Sequence, residues 1–355
     1  MRHLDSLTIG AFRGLRDVKL EGLGSVNVLV GDNNSGKTSV LEALALFARP
    51  FDDKTWLASA SLREIGGPGF LLSDAVNWFF PHSAERDEHS PVRLSGFASG
   101  KKEASRVEAS IRLVNATDPD VAGLVMPRRY VDVSRFLDEN NAENATLGFW
   151  GSNWSVDRGD PEPKMLPLRL LSSVAHRLTV FQTVEISSVL QKNDKKPVLD
   201  ALQLFDQDII DFLLLTDGDG KNSRPYLRHR RLGPKSPAPL SIFGDGLRRA
   251  FSIALSLHSA RHGLLLLDEI ETAIHPTALT TFFGWLIKVS RQSKIQLFCT
   301  THSLEAVDAL MAAETDHPGD IVVHRLEHTD NGTVATRIRG ELLREMRYEF
   351  GMDVR

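Results

Sequence analysis

Three stretches of the chain are almost wholly apolar: Val26-Asn-Val-Leu-Val30, Leu264-Leu-Leu-Leu267 and Ile295-Gln-Leu-Phe-Cys-Thr300. Runs this short, without polar alternation, predict strands covered on both faces, as in a parallel sheet. Ser39–Phe47, Phe251–Ser259 and Leu279–Lys288 carry helical patterns next to these strands, and Glu341–Phe350 predicts a short closing helix. Arg93–Phe97 and Arg106–Leu113 alternate apolar and polar positions instead, which predicts half-buried strands. Phe212–Thr216 and Pro225–Arg231 flank an Asp217-Gly-Asp219-Gly turn and predict a hairpin. Ile321–Ile338 predicts another, around Asn331-Gly332. Residues 50–92 read as irregular, 115–165 as loops and short helices rich in Asn, Asp, Gly and Pro, and 166–212 as mostly helical. There is no internal repeat and no heptad run long enough for a coiled-coil arm.

The chemistry sits at the ends of the apolar strands. Between Val30 and the first helix lies Gly31-Asp-Asn-Asn-Ser-Gly-Lys-Thr38, which matches the phosphate-loop pattern G-x-x-x-x-G-K-[ST]. Backbone N–H groups of such a loop cradle a phosphate chain at a helix N-terminus. Asn33, Asn34, Ser35, Gly36, Lys37, Thr38 and Ser39 are the predicted nucleotide contacts; Lys37 would reach the terminal phosphates and the Thr38 hydroxyl would sit on Mg²⁺. Leu264–Leu267 leads into Asp268-Glu269, the Walker B arrangement. Asp268 is the predicted Mg²⁺ ligand, and Glu269 the predicted general base for the attacking water. The next apolar strand ends in Thr300-Thr-His302-Ser303. His302 is placed to sense the γ-phosphate, while Ser303 would cap the helix that follows; both roles are compatible.

Pro239-Leu-Ser241-Ile-Phe-Gly244-Asp-Gly246-Leu-Arg-Arg249 opens a helix ahead of the Walker B strand. Ser241, Gly244 and Gly246 at a helix start make a second anion site, with simple capping as the plainer alternative. With the other motifs, this stretch matches the degenerate signature of ATP-binding-cassette folds, which reaches the γ-phosphate held by the opposite subunit. The predicted fold class is therefore α/β: an ABC-type P-loop ATPase head with a mixed β-sheet lobe, a helical or irregular insertion and no long coiled coil. Residues 1–48 and 240–355 are assigned to the ATPase core, and 49–239 to a β-subdomain and helical insertion.

Composition narrows the setting. With 355 residues, 42% hydrophobic and 25% charged, the chain reads as an ordinary globular protein with one large core and an insertion. A net charge of −4 excludes a globally basic nucleic-acid binder but leaves room for a local basic patch. A single cysteine, Cys299, precludes an internal disulfide and fits a reducing cytoplasm. No apolar run approaches a membrane span.

Taken together, the chain resembles the cassette-type ATPases of the RecF, Rad50 and overcoming-lysogenization-defect (OLD) class, and above all their small stand-alone members, often described only as AAA family ATPases. The resemblance is carried by Ala11-Phe-Arg-Gly-Leu15, Gly31–Ser39, Leu240–Arg249, Leu266–Pro276 and Thr300–Ser303. It implies ATP and Mg²⁺ as cofactors, hydrolysis, and a homodimer or higher oligomer closing around two ATP molecules. It also implies that Arg13 lies near the nucleotide and that Ile274-His275-Pro276 runs along the dimer interface. The glutamine that links Mg²⁺ to the middle lobe is unassigned between Gln182 and Gln191. OLD nucleases carry a nuclease domain after the ATPase; the 53 residues after His302 (355 minus 302) leave no room for one. The resemblance then implies a switch for a separately encoded effector, a nuclease among the candidates, in anti-phage defence. The alternative is a RecF-like repair ATPase that clamps DNA.

Other signals carry less. Asp217–Asn222 begins like a calcium loop, but its twelfth position is Arg228, where a bidentate Glu belongs. Arg224, Arg228, Arg230, Arg231 and Lys235 form a basic cluster that reads either as a phosphate contact or as one solvated strand face. His258 and His262 have helical spacing but no third metal ligand in view, and read as surface or packing residues.

Overall fold

The computed structural model describes residues 2–61, 72–82, 89–101, 103–117, 125–137, 141–150, 153–158, 164–177, 179–216, 223–233, 236–330 and 332–355. The 217–222 turn, Lys235 and Asn331 lie outside the described residues. The chain opens with β1 (Leu4–Phe12), β2 (Leu15–Glu21), β3 (Val26–Val30), α1 (Lys37–Ala48), α2 (Asp53–Ser61) and α3 (Leu72–Asn77). Then come β4 (Val92–Ala98), β5 (Ser105–Thr117), β6 (Val125–Phe136), β7 (Ala142–Trp150), β8 (Asn153–Arg158) and β9 (Leu168–Leu171). The middle holds α4 (Thr179–Gln191), α5 (Lys196–Gln203), β10 (Ile209–Thr216), β11 (Ser223–His229) and the short β12 (Ala238–Pro239). The last third runs α6 (Asp245–Ser259), β13 (Leu264–Leu267), α7 (Pro276–Gln292), β14 (Gln296–Thr300), α8 (Leu304–Ala313), β15 (Ile321–Thr329), β16 (Gly332–Arg339) and α9 (Gly340–Arg344).

The core sheet has the order β16-β15-β3-β14-β13-β9. All its pairs are parallel except the β15–β16 hairpin. The apolar runs are its central strands, and their side chains divide between two cores. Leu264 and Leu266 face the layer formed by α1 and the second sheet, while Leu265 and Leu267 face the layer of α6, α7 and α8. All four leucines are fully buried; each such burial stabilises by about 1.5–3 kcal/mol before conformational entropy is subtracted. The second sheet is antiparallel, β2-β1-β4-β5-β6-β7-β8. A third core joins α4, α5 and the β10–β11 hairpin to α6. This is a mixed α/β architecture of packed sheets and helices, with the helical insertion leaning on α6. No extended coiled coil appears among the described residues.

Three expectations are corrected. The stretch 50–92 is not irregular throughout, because it holds α2 and α3. The described residues between 115 and 165 are not loops and short helices: they continue β5 and supply β6, β7 and β8. The stretch 166–212, expected to be mostly helical, holds α4 and α5 but also strands: Leu168–Leu171 forms β9 beside β13, and β10 begins at Ile209. The layers also exchange strands across the expected domain boundaries: β1 and β2 lie in the second sheet, and β9 lies in the core sheet.

One buried residue gives the fold an acid-sensitive point. His324 on β15 is 1% exposed, and neither ring nitrogen has a hydrogen-bond partner among the described residues. Burial, helped by Arg337 on the neighbouring strand, pushes its pKa down to about 4. The folded value lies below the unfolded one, so the folded state binds fewer protons between them. The stability of the neutral buried ring is fully present above the unfolded pKa near 6.5 and is lost as pH falls toward 4. A shift of this size corresponds to about 3 kcal/mol. Urea titrations at pH 7 and pH 4.5 should show His324→Leu losing less stability than the parent on acidification; equal losses would remove His324 as the cause.

Candidate nucleotide site

The phosphate loop is held open by backbone geometry. Gly31 has φ +140°, and a Cβ there would stand 2.2 Å from the Leu326 carbonyl. Gly36, at φ +96°, turns the chain into α1. Only glycine meets both demands without strain. Lys37 Nζ donates to the carbonyls of Gly31 and Asp32 at 2.7 and 2.8 Å, folding over the loop. Its pKa is lowered by burial, against the pull of Asp268, Asp32, Glu269 and Glu271. Asn33 and Asn34 are exposed at the loop crest, and Ser39 is buried in the first turn of α1. The buried Ser35 Oγ has no hydrogen-bond partner among the described residues.

Parallel pairing of β3, β14 and β13 brings the other motifs to the same sheet edge. Thr38 Oγ1 donates to Asp268 Oδ1 at 3.1 Å, and Thr300 Oγ1 donates to the same oxygen at 2.7 Å. Thr300 Oγ1 also accepts from the Glu269 N–H at 2.8 Å. Burial raises the Asp268 pKa, and the two threonine hydrogen bonds oppose it. Glu269 sits at φ +46°, with Oε2 accepting from Thr272 Oγ1 at 3.0 Å. His302 is 58% exposed at its side chain, and its Nδ1 lies 3.7 Å from Glu271 Oε1. Ser303 caps α8, accepting from the Ala306 N–H. The orphaned Ser35 hydroxyl, the Lys37 cation and the Thr38–Asp268 hydroxyl–carboxylate pair form a donor set that fits a phosphate chain and a hard divalent ion. Thr38 and Asp268 are the residues that would hold Mg²⁺.

The signature stretch differs in detail from its expected shape. Ser241 does not open the helix: it is exposed in a 3-10 turn, Leu240–Ile242, and the cap of α6 is Gly244. The Phe243 N–H closes that turn onto the Leu240 carbonyl, so two more residues pass before helical geometry begins. Gly244 provides no side-chain cap, leaving the first N–H groups of α6 without one. Gly246 is packed inward instead, where a Cβ would lie 2.7 Å from the Ala273 carbonyl. Two turns of chemistry are joined by Arg249, fully buried on α6, which donates to the carbonyls of Ser172, Asp268 and Glu269. Burial lowers its pKa to about 10, leaving it a cation at neutral pH. Thr300 and Arg249 were both inside motifs visible in the sequence, but their roles as backbone and carboxylate anchors were not.

Other expected residues fall as follows. Arg13 pairs with the buried Glu42 of α1 at 2.6 Å and stacks over Phe79 at 4.5 Å, so the structure ties it to α1 beyond the loop. His275 caps α7 and is exposed beside the Ile274–Pro276 turn. Gln191 is exposed at the end of α4; of Gln182 only the backbone is described. Arg224 and Arg228 point outward from β11, whereas Arg230 and Arg231 pair with Asp208. His258 is buried, with Nδ1 2.7 Å from Asp194 Oδ2 and Nε2 3.3 Å from Ser188 Oγ. That order copies a nucleophile triad, yet the cavity beside it is about 10 Å³. It fastens α4 to α6 and leaves no room for a substrate.

Known proteins resemble parts or most of this chain. A family described as "AAA domain, putative AbiEii toxin, Type IV TA system" matches residues 152–308, and one described as "AAA ATPase domain" matches residues 3–89. The chain carries AAA-family ATPase domains. It is 32% identical over 114 residues to the uncharacterized protein MJECL11 of Methanocaldococcus jannaschii, covering 32% of this chain and 98% of that one. It is 22% identical to an ATP/GTP phosphatase of Helicobacter pylori over 96% of both chains. The DNA replication and repair protein RecF of Caulobacter vibrioides is 31% identical over 116 residues, 32% of this AAA-domain chain and 28% of RecF. Among solved structures, an SmcHead bound to the C-winged helix domain of ScpA aligns over 95% of this chain and 98% of that one, at 12% identity and a TM-score of 0.47. None of the helices described is long and apolar enough to cross a membrane.

Proposed function

We propose that this AAA-domain protein binds and hydrolyses ATP at the Gly31–Thr38 loop, and that two copies close around the nucleotide to act as a switch. The observation that carries this reading is the Asp268 carboxylate, hydrogen-bonded at once to Thr38 of the loop and to Thr300 of the sensor strand. Residues about 230 positions apart thus meet at one point where a phosphate chain and its metal would sit. Mg²⁺, when bound there, supplies positive charge to the terminal phosphates. Lys37 offsets further phosphate charge, Glu269 takes a proton from the attacking water, and His302 lies on the adjacent strand end as the sensor. Ser241 lies outside the set that would meet a phosphate; Gly244 and the first turn of α6 take that place. Arg13 acts through α1.

The switch reading extends to a separately encoded effector in anti-phage defence, in the cytoplasm. The match to a family whose description names a putative toxin of a toxin–antitoxin system supports that setting. Similarity to RecF over 116 residues favours the second reading, an ATP-dependent DNA clamp. Calorimetry tests the first step: Lys37→Ala should abolish ATP binding, and unchanged affinity would overturn the assignment of the loop. Fluorescent duplex DNA separates the two settings. ATP-dependent binding that disappears in an Arg224→Ala, Arg228→Ala double variant favours the clamp, and no binding at matched ATP favours the effector switch.

A further inference from the structure

The exposed start of α6 is surrounded by more chemistry than its glycines. Asp245, the first helical residue, accepts from Arg177 Nη2 at 2.8 Å and from Arg248 Nη1 at 2.9 Å. Two guanidinium groups against one carboxylate leave a net charge of +1 at a helix N-terminus that already favours anions. The Arg177 side chain is 62% exposed, and Gly244 has open space where a Cβ would be. A second observation comes from below. His176 is 2% exposed, neither of its ring nitrogens has a hydrogen-bond partner among the described residues, and its Nε2 faces Asp245 Oδ2 at 3.9 Å. Burial, with Arg249 next in effect, lowers the His176 pKa, so the ring stays neutral and keeps an N–H to donate. A buried donor, two cations and uncapped N–H groups therefore converge on one exposed point.

We propose that Arg177 and Arg248 contact the terminal phosphate of the nucleotide held by a second copy of this chain, with Asp245 occupying them until it arrives. This rests on the shared-site reading above and adds the residues that read the phosphate. The loop at Gly31–Thr38 has its own cation in Lys37, so the α6 cluster is surplus to the nucleotide of its own subunit. The Asp245 carboxylate keeps the two arginines in place, and an incoming phosphate shares or takes them by the same charge-assisted hydrogen bonds. Removing the carboxylate while keeping its shape should therefore favour closure.

The test uses the full chain in a Glu269→Gln background, with sedimentation velocity across an ATP series and a fluorescent ATP analogue to read binding separately. Arg177→Ala and Arg248→Ala should keep analogue binding within about twofold. Each should raise the ATP concentration needed for dimerisation by about tenfold or more, the scale of one lost charge-assisted hydrogen bond. Lysine at either position should recover part of the loss, and Asp245→Asn should lower the ATP requirement. Arginine variants that dimerise at the parental ATP concentration would overturn the proposal. So would variants that lose analogue binding while their melting curves match the parent, because the arginines would then serve their own subunit. A parent that binds the analogue but never dimerises removes the shared site itself, and that outcome is distinct from the other two. Should an alanine variant melt early, the lysine variants and Asp245→Asn carry the same comparison.

Discussion

Glu269→Gln is expected to bind ATP like the parent and to hydrolyse it about 10²–10⁴-fold more slowly, the usual cost of losing a positioned general base. The substitution is nearly isosteric. The remaining carbonyl oxygen can still accept from Thr272 Oγ1, and the backbone N–H can still donate to Thr300 Oγ1. The unusual φ of +46° belongs to the main chain and does not depend on the carboxylate. What disappears is the ability to accept a proton from water beside the γ-phosphate. With binding intact and the exit step blocked, ATP-bound dimers should accumulate, visible as a faster-sedimenting species in Mg²⁺ and ATP but not in ADP. Single-turnover phosphate release gives the rate. Turnover at the parental rate would move the base elsewhere, and Glu271 would be examined next: both its carboxylate oxygens are buried and lack hydrogen-bond partners among the described residues.

Much of this site was legible because its parts lie on strands with a strong apolar signal. Four leucines in a row, bounded by Gly263 and by Asp268-Glu269, are too short a run for a buried helix and fit a strand covered on both faces, so Asp268 and Glu269 emerge at its end. The second sheet was harder to read. In β6, Val131 and Val133 are buried while Asp132 and Ser134 take the other face, a clear alternation. It was masked by neighbouring Asn, Asp, Gly and Pro residues, which mark the ends of long strands as readily as loops. β9 has only four residues, too few for any periodicity, and its place is set by pairing with β13. Ser241 misled for a different reason. A serine followed by glycines predicts a helix cap, but whether a 3-10 turn intervenes depends on the Leu240–Phe243 backbone bond. Arg249 was unreadable because its partners are backbone carbonyls, which leave no trace in a sequence.

Restored activity on mixing two inactive variants is the second expected result, and the structure decides which variants to mix. Gly246 is a poor choice, since a side chain there would collide with the Ala273 carbonyl of its own subunit and disturb the turn after Glu269. Gly244 is the better one. Its φ of −60° and ψ of 154° suit any residue, and nothing lies within 4 Å of a Cβ placed there. Gly244→Trp should therefore fold and bind ATP, yet block approach of a partner's γ-phosphate to the start of α6. Lys37→Ala should fold with an intact α6 but fail to hold ATP, because the phosphate charge loses its main cation. Each homodimer then has two defective sites. In a mixed dimer, one site combines both defects, whereas the other pairs the intact loop of the Gly244→Trp subunit with the intact helix start of the Lys37→Ala subunit. If mixing is random at equal amounts, about half the dimers are mixed, each with one complete site, so activity should recover to about a quarter of the parental value under two-fold symmetric pairing. The recovery should follow the product of the two mole fractions and vanish at either extreme. If mixed dimers form, as shown by differently tagged chains, and hydrolysis stays at the background of the separate variants, α6 does not complete the partner's site on its own: either it serves its own subunit, or both sites must fire together. Where activity is recovered, adding Glu269→Gln to the Gly244→Trp subunit should silence it, because the only complete site then has that subunit's loop without its base; adding it to the Lys37→Ala subunit should leave the recovery unchanged.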